Sequence, residues 1–141
     1  MRDYTTSELK RLLDRFYCCY DGLLRIVEVL YREGGAGTNA RVVLSTRDNE
    51  SDADDGWCNL EFDISDVLEF RLTESGSKGG YEVLSGGVAI LPIQGMYFFE
   101  FTHAVEPEAE FATVDEVRRS EFYVAGRKFT WKTSAYSVTR R

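Results

Sequence analysis

The chain has 141 residues, 43% hydrophobic and 13% aromatic, enough apolar material for one buried core and too little length for two comfortable ones. Its net charge is −7 and unevenly spread: residues 1–116 hold 10 Lys/Arg against 23 Asp/Glu, and residues 117–141 hold 7 against 1. An acidic body repels nucleic acid and anionic membrane and attracts basic protein surfaces, so a protein partner is expected and nucleic acid and membrane are not.

Three further features narrow the class. No apolar run approaches the roughly 20 residues that span a bilayer, and the N-terminus lacks the apolar core of a signal peptide. Cys18, Cys19 and Cys58 are odd in number and match no zinc spacing. Together they predict a cytoplasmic protein whose thiols are small buried hydrophobes in a reducing compartment; a redox-active vicinal pair is the alternative.

In chain order, Thr5-Thr6-Ser7-Glu8 fits a capping box, with Tyr4 and Leu9 placed for a hydrophobic staple. Leu9, Leu12, Leu13, Phe16, Tyr17 and Tyr20 recur at helical spacing, while Lys10, Arg11, Asp14 and Arg15 fall on the other side. This predicts an amphipathic helix over 6–18 with one face laid on a sheet, ended by a turn at Asp21-Gly22. Branched residues from Leu23 to Tyr31 read as a strand, and those from Arg41 to Thr46 as its return beyond the glycine-rich stretch 34–39. The polar run 48–56 reads as a mobile loop.

Residues 57–64 alternate Trp57, Asn59, Glu61 and Asp63 with Cys58, Leu60, Phe62 and Ile64. A bulge at Ser65-Asp66 resets the alternation before Val67, Leu68, Phe70 and Leu72. Residues 75–80 read as a loop and 81–84 as a strand. The stretch 88–101 is the most apolar of the chain and reads as its centre: two strands meeting at Gln94-Gly95, with Pro92 marking a strand end or bulge. In the second strand Tyr97, Phe99 and Phe101 share one face and Met96, Phe98 and Glu100 the other, which predicts an interior strand covered on both sides. A short helix is expected near 114–119, then a closing hairpin over 121–132 turning at Ala125-Gly126.

The sum is one α+β domain over 1–141: a helix (6–18), a β-rich body (23–132) and a frayed basic tail (133–141). The amphipathic helix packs on seven or eight mostly antiparallel strands curled into a sandwich or open barrel.

No catalytic constellation stands out. The loop 48–56 invites a calcium reading, but placing Gly56 at the sixth loop position puts Ala53 third and Phe62 twelfth, where acidic ligands belong. His103, the only histidine, lies near Glu106, Glu108 and Glu110, a weak metal candidate built mainly on His103, Glu106 and Glu108. Pro107 breaks any regular face there, so an ordinary surface histidine is the expectation. Asp63 with Asp66 could pair as acid and base, in a chain where carboxylates are too common for the pair to be informative. Neither a Gly-x-Ser-x-Gly elbow nor a phosphate-cradling Gly-Lys-Ser/Thr loop occurs, and no cofactor is implied.

Four pieces in order carry a resemblance: Tyr20-Asp21 ahead of a strand, Leu60-Glu61-Phe62 with Val67 beyond, Leu84-Ser85-Gly86-Gly87-Val88-Ala89-Ile90, and Ser120-Glu121-Phe122-Tyr123-Val124. They resemble small bacterial immunity-like domains of polymorphic toxin systems. Tyr20 stands where those domains usually carry a histidine, so no site role is transferred to it. The resemblance implies a non-catalytic protein that binds and blocks a toxin. An acidic inhibitor suits a basic toxin, with Asp48, Glu50, Asp52, Asp54 and Asp55 as the expected contacts and Trp57 as an aromatic anchor. The alternative is a small-molecule barrel or weak enzyme whose interior is lined by Tyr97, Phe99, Trp57 and Trp131.

Overall fold

The computed structural model describes residues 3–31, 37–52, 55–73, 83–103, 105 and 112–136. Helix α1 (Thr6–Arg15) opens with the capping box: Thr5 Oγ1 accepts from the Glu8 amide (3.1 Å) and Glu8 Oε1 from the Thr5 amide (3.0 Å). The helix ends three residues before the expected Cys18. A turn over Tyr17–Cys19 follows, in which all three residues take positive φ (53, 53 and 57°). Helical periodicity across this turn is an accident of spacing, because the left-handed backbone is what carries Cys18 and Cys19 inward.

Seven strands follow, β1 (Gly22–Tyr31), β2 (Thr38–Arg47), β3 (Trp57–Leu72), β4 (Val83–Leu84), β5 (Ala89–Ile93), β6 (Met96–Glu100) and β7 (Phe122–Ala135), with a short helix α2 (Val114–Arg118) before the last. They form one antiparallel sheet in the order β4-β1-β2-β3-β7-β6-β5, curled into a half-barrel rather than split into a sandwich. Tyr81 and Glu82, expected to extend β4, lie outside the described residues.

Three expectations need correction. Residues 88–101 hold the β5–β6 hairpin, which lies at one end of the sheet and not at its centre; β6 is interior as expected, between β7 and β5, while Pro92 is on the edge strand β5, where a missing amide costs no ladder bond. There is no hairpin at Ala125-Gly126. β7 runs straight through, pairing with β3 from Phe122↔Leu72 to Ala135↔Cys58. The glycine serves close approach instead: an ideal Cβ there would lie 2.6 Å from Ile64 Cγ2 and 2.8 Å from Ser65 O. Third, Thr133, Ser134 and Ala135, assigned to the frayed tail, are ladder residues; residues 137–141 lie outside the described ones.

The core has two parts. Leu9, Leu12, Leu13 and Phe16 are buried in one apolar cluster with Val42, Leu44, Leu60, Phe62, Ile64, Phe99 and Phe129. Tyr4 stacks on Phe129 (centroids 4.3 Å) and its amide donates to Tyr97 Oη (2.7 Å). The other face of β6 supplies Phe98 to a smaller cluster with Leu91, Val117 and Tyr123. Glu100, on that same face, is buried, and its carboxylate accepts from the Thr102 amide (2.6 Å), Thr102 Oγ1 (2.7 Å) and Ser120 Oγ (2.7 Å). Those bonds replace the water the carboxylate gives up.

Because a methyl group at position 126 has nowhere to go, Gly126→Ala should destabilise the fold by about 2 kcal/mol. Chemical denaturation measures it, and a loss indistinguishable from zero would show that Ile64 and the β3 backbone yield freely.

Candidate functional site

The loop between β2 and β3 is closed where the Asp48 amide donates to Gly56 O (2.8 Å), and Gly56 takes φ +76°, a conformation open to glycine. Asp48 folds the loop on itself: its Oδ1 accepts from the Glu50 amide (2.9 Å) and its carbonyl from the Ser51 amide (3.1 Å). Asp55 does the same at the far end, accepting from the Trp57 amide (3.0 Å).

Asp48 is not a surface acid. It is 7% exposed, and both carboxylate oxygens are held by Arg15, Nε to Oδ1 at 2.9 Å and Nη2 to Oδ2 at 3.0 Å. The guanidinium lies 5.1 Å from the Phe16 ring centre and 5.2 Å from that of Trp131, and Glu50 reaches Arg15 Nε at 3.0 Å from outside. Arg15 ends α1, where a cation also meets the negative end of the helix dipole. Its hydrogen bonds hold the Asp48 carboxyl below its ordinary value.

Above this pair lies an open cleft of about 680 Å³. Glu50, Ser51, Asp52 and Asp55 of the loop line it together with Trp57 and Cys58 of β3 and Thr133 to Tyr136 at the end of β7. Four expected contacts, Glu50, Asp52, Asp55 and Trp57, thus share one cleft, with Asp48 in its floor; Asp54 lies outside the described residues. Trp57 is half-buried, with Tyr136 tilted against it (5.9 Å) and the Arg47 guanidinium 5.8 Å above its ring. Cys58 is buried, and burial followed by the Asp48 charge pushes its thiol up to about 11; burial pushes Cys19 up to about 12. Both stay protonated at neutral pH and are poor nucleophiles.

The other candidates are scattered. Asp66 is exposed with φ +52°, and the β3 bulge expected at Ser65-Asp66 falls instead between Val67 and Glu69, where the ladder with β7 shifts register. The actual carboxyl pair is Asp63 with Glu61 on the outer sheet face. Burial and then Glu61 push Asp63 up; at Glu61 burial works the same way, but hydrogen bonds from Arg41 (3.0 Å) and Asp63, with the Arg41 and Lys132 (3.4 Å) charges, together hold it down. His103 is exposed with φ +62°, its Nδ1 3.2 Å from Gly86 O; Glu106 and Glu108 lie outside the described residues. Among the described residues no group of three His, Cys, Asp or Glu is placed to hold a metal ion.

No protein-family model, curated protein or solved structure matches the chain.

The Arg15–Asp48 pair sets a pH dependence. Asp48 titrates lower in the folded chain than in the unfolded one, so the pair's contribution is complete at neutral pH and is lost as pH falls below 3.8 through the folded value. Asp48→Asn should cost about 2 kcal/mol at neutral pH and flatten that acid limb in a series of denaturation curves. Parallel stability–pH curves for parent and variant would show that the pair contributes nothing.

Proposed function

We propose that this chain is a non-catalytic protein-binding module, an immunity-type inhibitor that docks a basic toxin domain at the acidic cleft. The observation that carries this is the division of labour among the loop acids. Asp48 is neutralised by Arg15 in the floor, while Glu50, its side chain 64% exposed, meets that same cation only from outside, and the exposed Asp52 and Asp55 open onto the cleft. Complementary fields speed encounter with a basic surface, and carboxylates at the rim can occupy positions a nuclease-like partner keeps for phosphates. The absence of any helix long and apolar enough to cross a membrane, among the described residues, fits a partner met in solution. We place that encounter in the cytoplasm, where the three free thiols stay reduced.

Packing favours this over a ligand-binding interior. Phe62, Tyr97, Phe99 and Phe129 meet ring against ring at centroid separations of 5.1–6.0 Å, and Trp131 packs on Phe16 at 5.7 Å.

With the chain as bait in its native cell, the captured partner should be basic and toxic when expressed alone. The triple variant Glu50→Gln, Asp52→Asn, Asp55→Asn should associate about tenfold more slowly with it at low salt, with Tm changed by no more than about 2 °C. An acidic or harmless partner, or equal on-rates for parent and variant, would overturn the proposal.

A further inference from the structure

Strained backbone in this chain is concentrated. Of the seven described non-glycine residues with positive φ, Tyr17, Cys18, Cys19, Asp21 and His103 belong to one patch, tied together by short bonds. The Val88 amide donates to Cys18 O (2.9 Å), the Asp21 amide to Leu84 O (2.9 Å), and His103 Nδ1 lies against Gly86 O. A left-handed backbone costs an L-residue free energy that glycine avoids, and turns needing it ordinarily use Gly, Asn or Asp. Cys18 and Cys19 repay that cost by being buried in the main core. Tyr17 does not: its side chain leaves the residue 50% exposed, and its hydroxyl donates to Asn49 Oδ1 (3.1 Å), itself an exposed residue. The fold thus holds a strained tyrosine whose ring returns little to stability. Such positions persist where the side chain serves a site.

The place is informative. Asn49 lies between Asp48 and Glu50, and its amide donates to Arg15 O (3.0 Å), so Tyr17 stands at the rim of the acidic loop. Tyr20, 42% exposed, and exposed Asp21 follow it. Trp57, the aromatic singled out by its sequence position, already carries Arg47 over its ring and is half-buried. Within this chain, guanidinium groups repeatedly settle over aromatic rings beside carboxylates, as Arg15 does over Phe16 and Trp131.

We propose that Tyr17 and Tyr20 are the aromatic anchors of the partner interface, and that they receive arginine side chains of a basic protein surface whose remaining charge meets Glu50, Asp52 and Asp55. This rests on the docking function proposed above and extends its footprint beyond the cleft, across the left-handed turn. Arginine is favoured over lysine because a planar guanidinium stacks on a phenol ring and leaves its edge free for a carboxylate.

The test uses the full chain, a hexa-arginine peptide and its hexa-lysine counterpart, followed by NMR of tyrosine ring and loop amide signals. The arginine peptide should move the Tyr17 and Tyr20 rings together with the amides of Glu50 and Asp52, and the lysine peptide should move the rings less. Tyr17→Gly relieves the strain while deleting the ring, so it should raise Tm by about 3 °C and weaken arginine-peptide binding about threefold; Tyr20→Ala should weaken it similarly. Loop amides that respond while the rings stay still would overturn the anchor assignment and leave the acidic cleft standing. Silence at both would overturn the two together. An equal ring response to lysine would remove the stacking chemistry, and a fall in Tm for Tyr17→Gly would remove the strain on which the assignment is built.

Discussion

β3 and β7 are paired over nearly their whole length, yet each is an interior strand in only one half of the sheet. β2 covers β3 as far as Ile64, and β6 covers β7 from Tyr123 to Gly126. The changeover falls where Gly126 pairs with Val67, beside the bulge between Val67 and Glu69, and where a Cβ at position 126 would press on Ile64 and the Ser65 carbonyl. The curl of the sheet follows from that crossing, since a bulge adds twist and a glycine opposite lets the strands close on it. The first half then presents Leu60, Phe62, Phe129 and Trp131 on the inner face with the buried side of α1, and the second presents Phe98 and Tyr123 on the opposite face with Val117 of α2.

The crossing also decides where the cleft lies. The far end of β7 is carried back beside the start of β3, so Thr133 to Tyr136 line the same cleft as Glu50, Ser51, Asp52 and Asp55. Arg15 then sorts the acids. Its two hydrogen bonds to a carboxylate that is 5% exposed at the side chain act in a medium of low effective dielectric, where such contacts are each worth about 1.5–3 kcal/mol. Its contact with Glu50, whose side chain is 64% exposed, falls among surface pairs worth less than about 1 kcal/mol. Asp48 is therefore committed to the fold, and Glu50 can exchange Arg15 for another cation at little cost.

Much of this architecture is legible in the residues. The capping box at Thr5 and Glu8, the two-sided aromatics of β6 and the Gln94-Gly95 turn each have a local physical signature, and each is where that signature puts it, whereas the β3 bulge falls between Val67 and Glu69, beyond the Ser65-Asp66 that the pattern marks. Gly126 is not legible, because an Ala-Gly pair between aromatic strands looks the same whether the glycine turns the chain or admits a neighbour. Only the side chain of Ile64, 62 residues away in sequence, distinguishes the two. The polar Thr133-Ser134-Ala135 likewise resembles a frayed end until its ladder with residues 58–60 is known.

The cleft shows the same boundary between local and distant information. A run of acids marks the 48–56 loop plainly, but nothing in the run says which acid turns inward, since the cation that draws Asp48 in lies 33 residues upstream at the end of a helix. Once that pair forms, it pulls the loop against the exit of α1 and sets Asn49 beside Tyr17. The helix cannot continue past Arg15 without withdrawing Cys18 and Cys19 from the core, so the chain turns left-handed there and leaves Tyr17 and Tyr20 outside. Burial of two small thiols and neutralisation of one carboxylate thus place exposed rings beside exposed acids. Each is held there by a surface contact rather than by the core, Tyr17 by its hydroxyl on Asn49 and Glu50 by its pairing with Arg15.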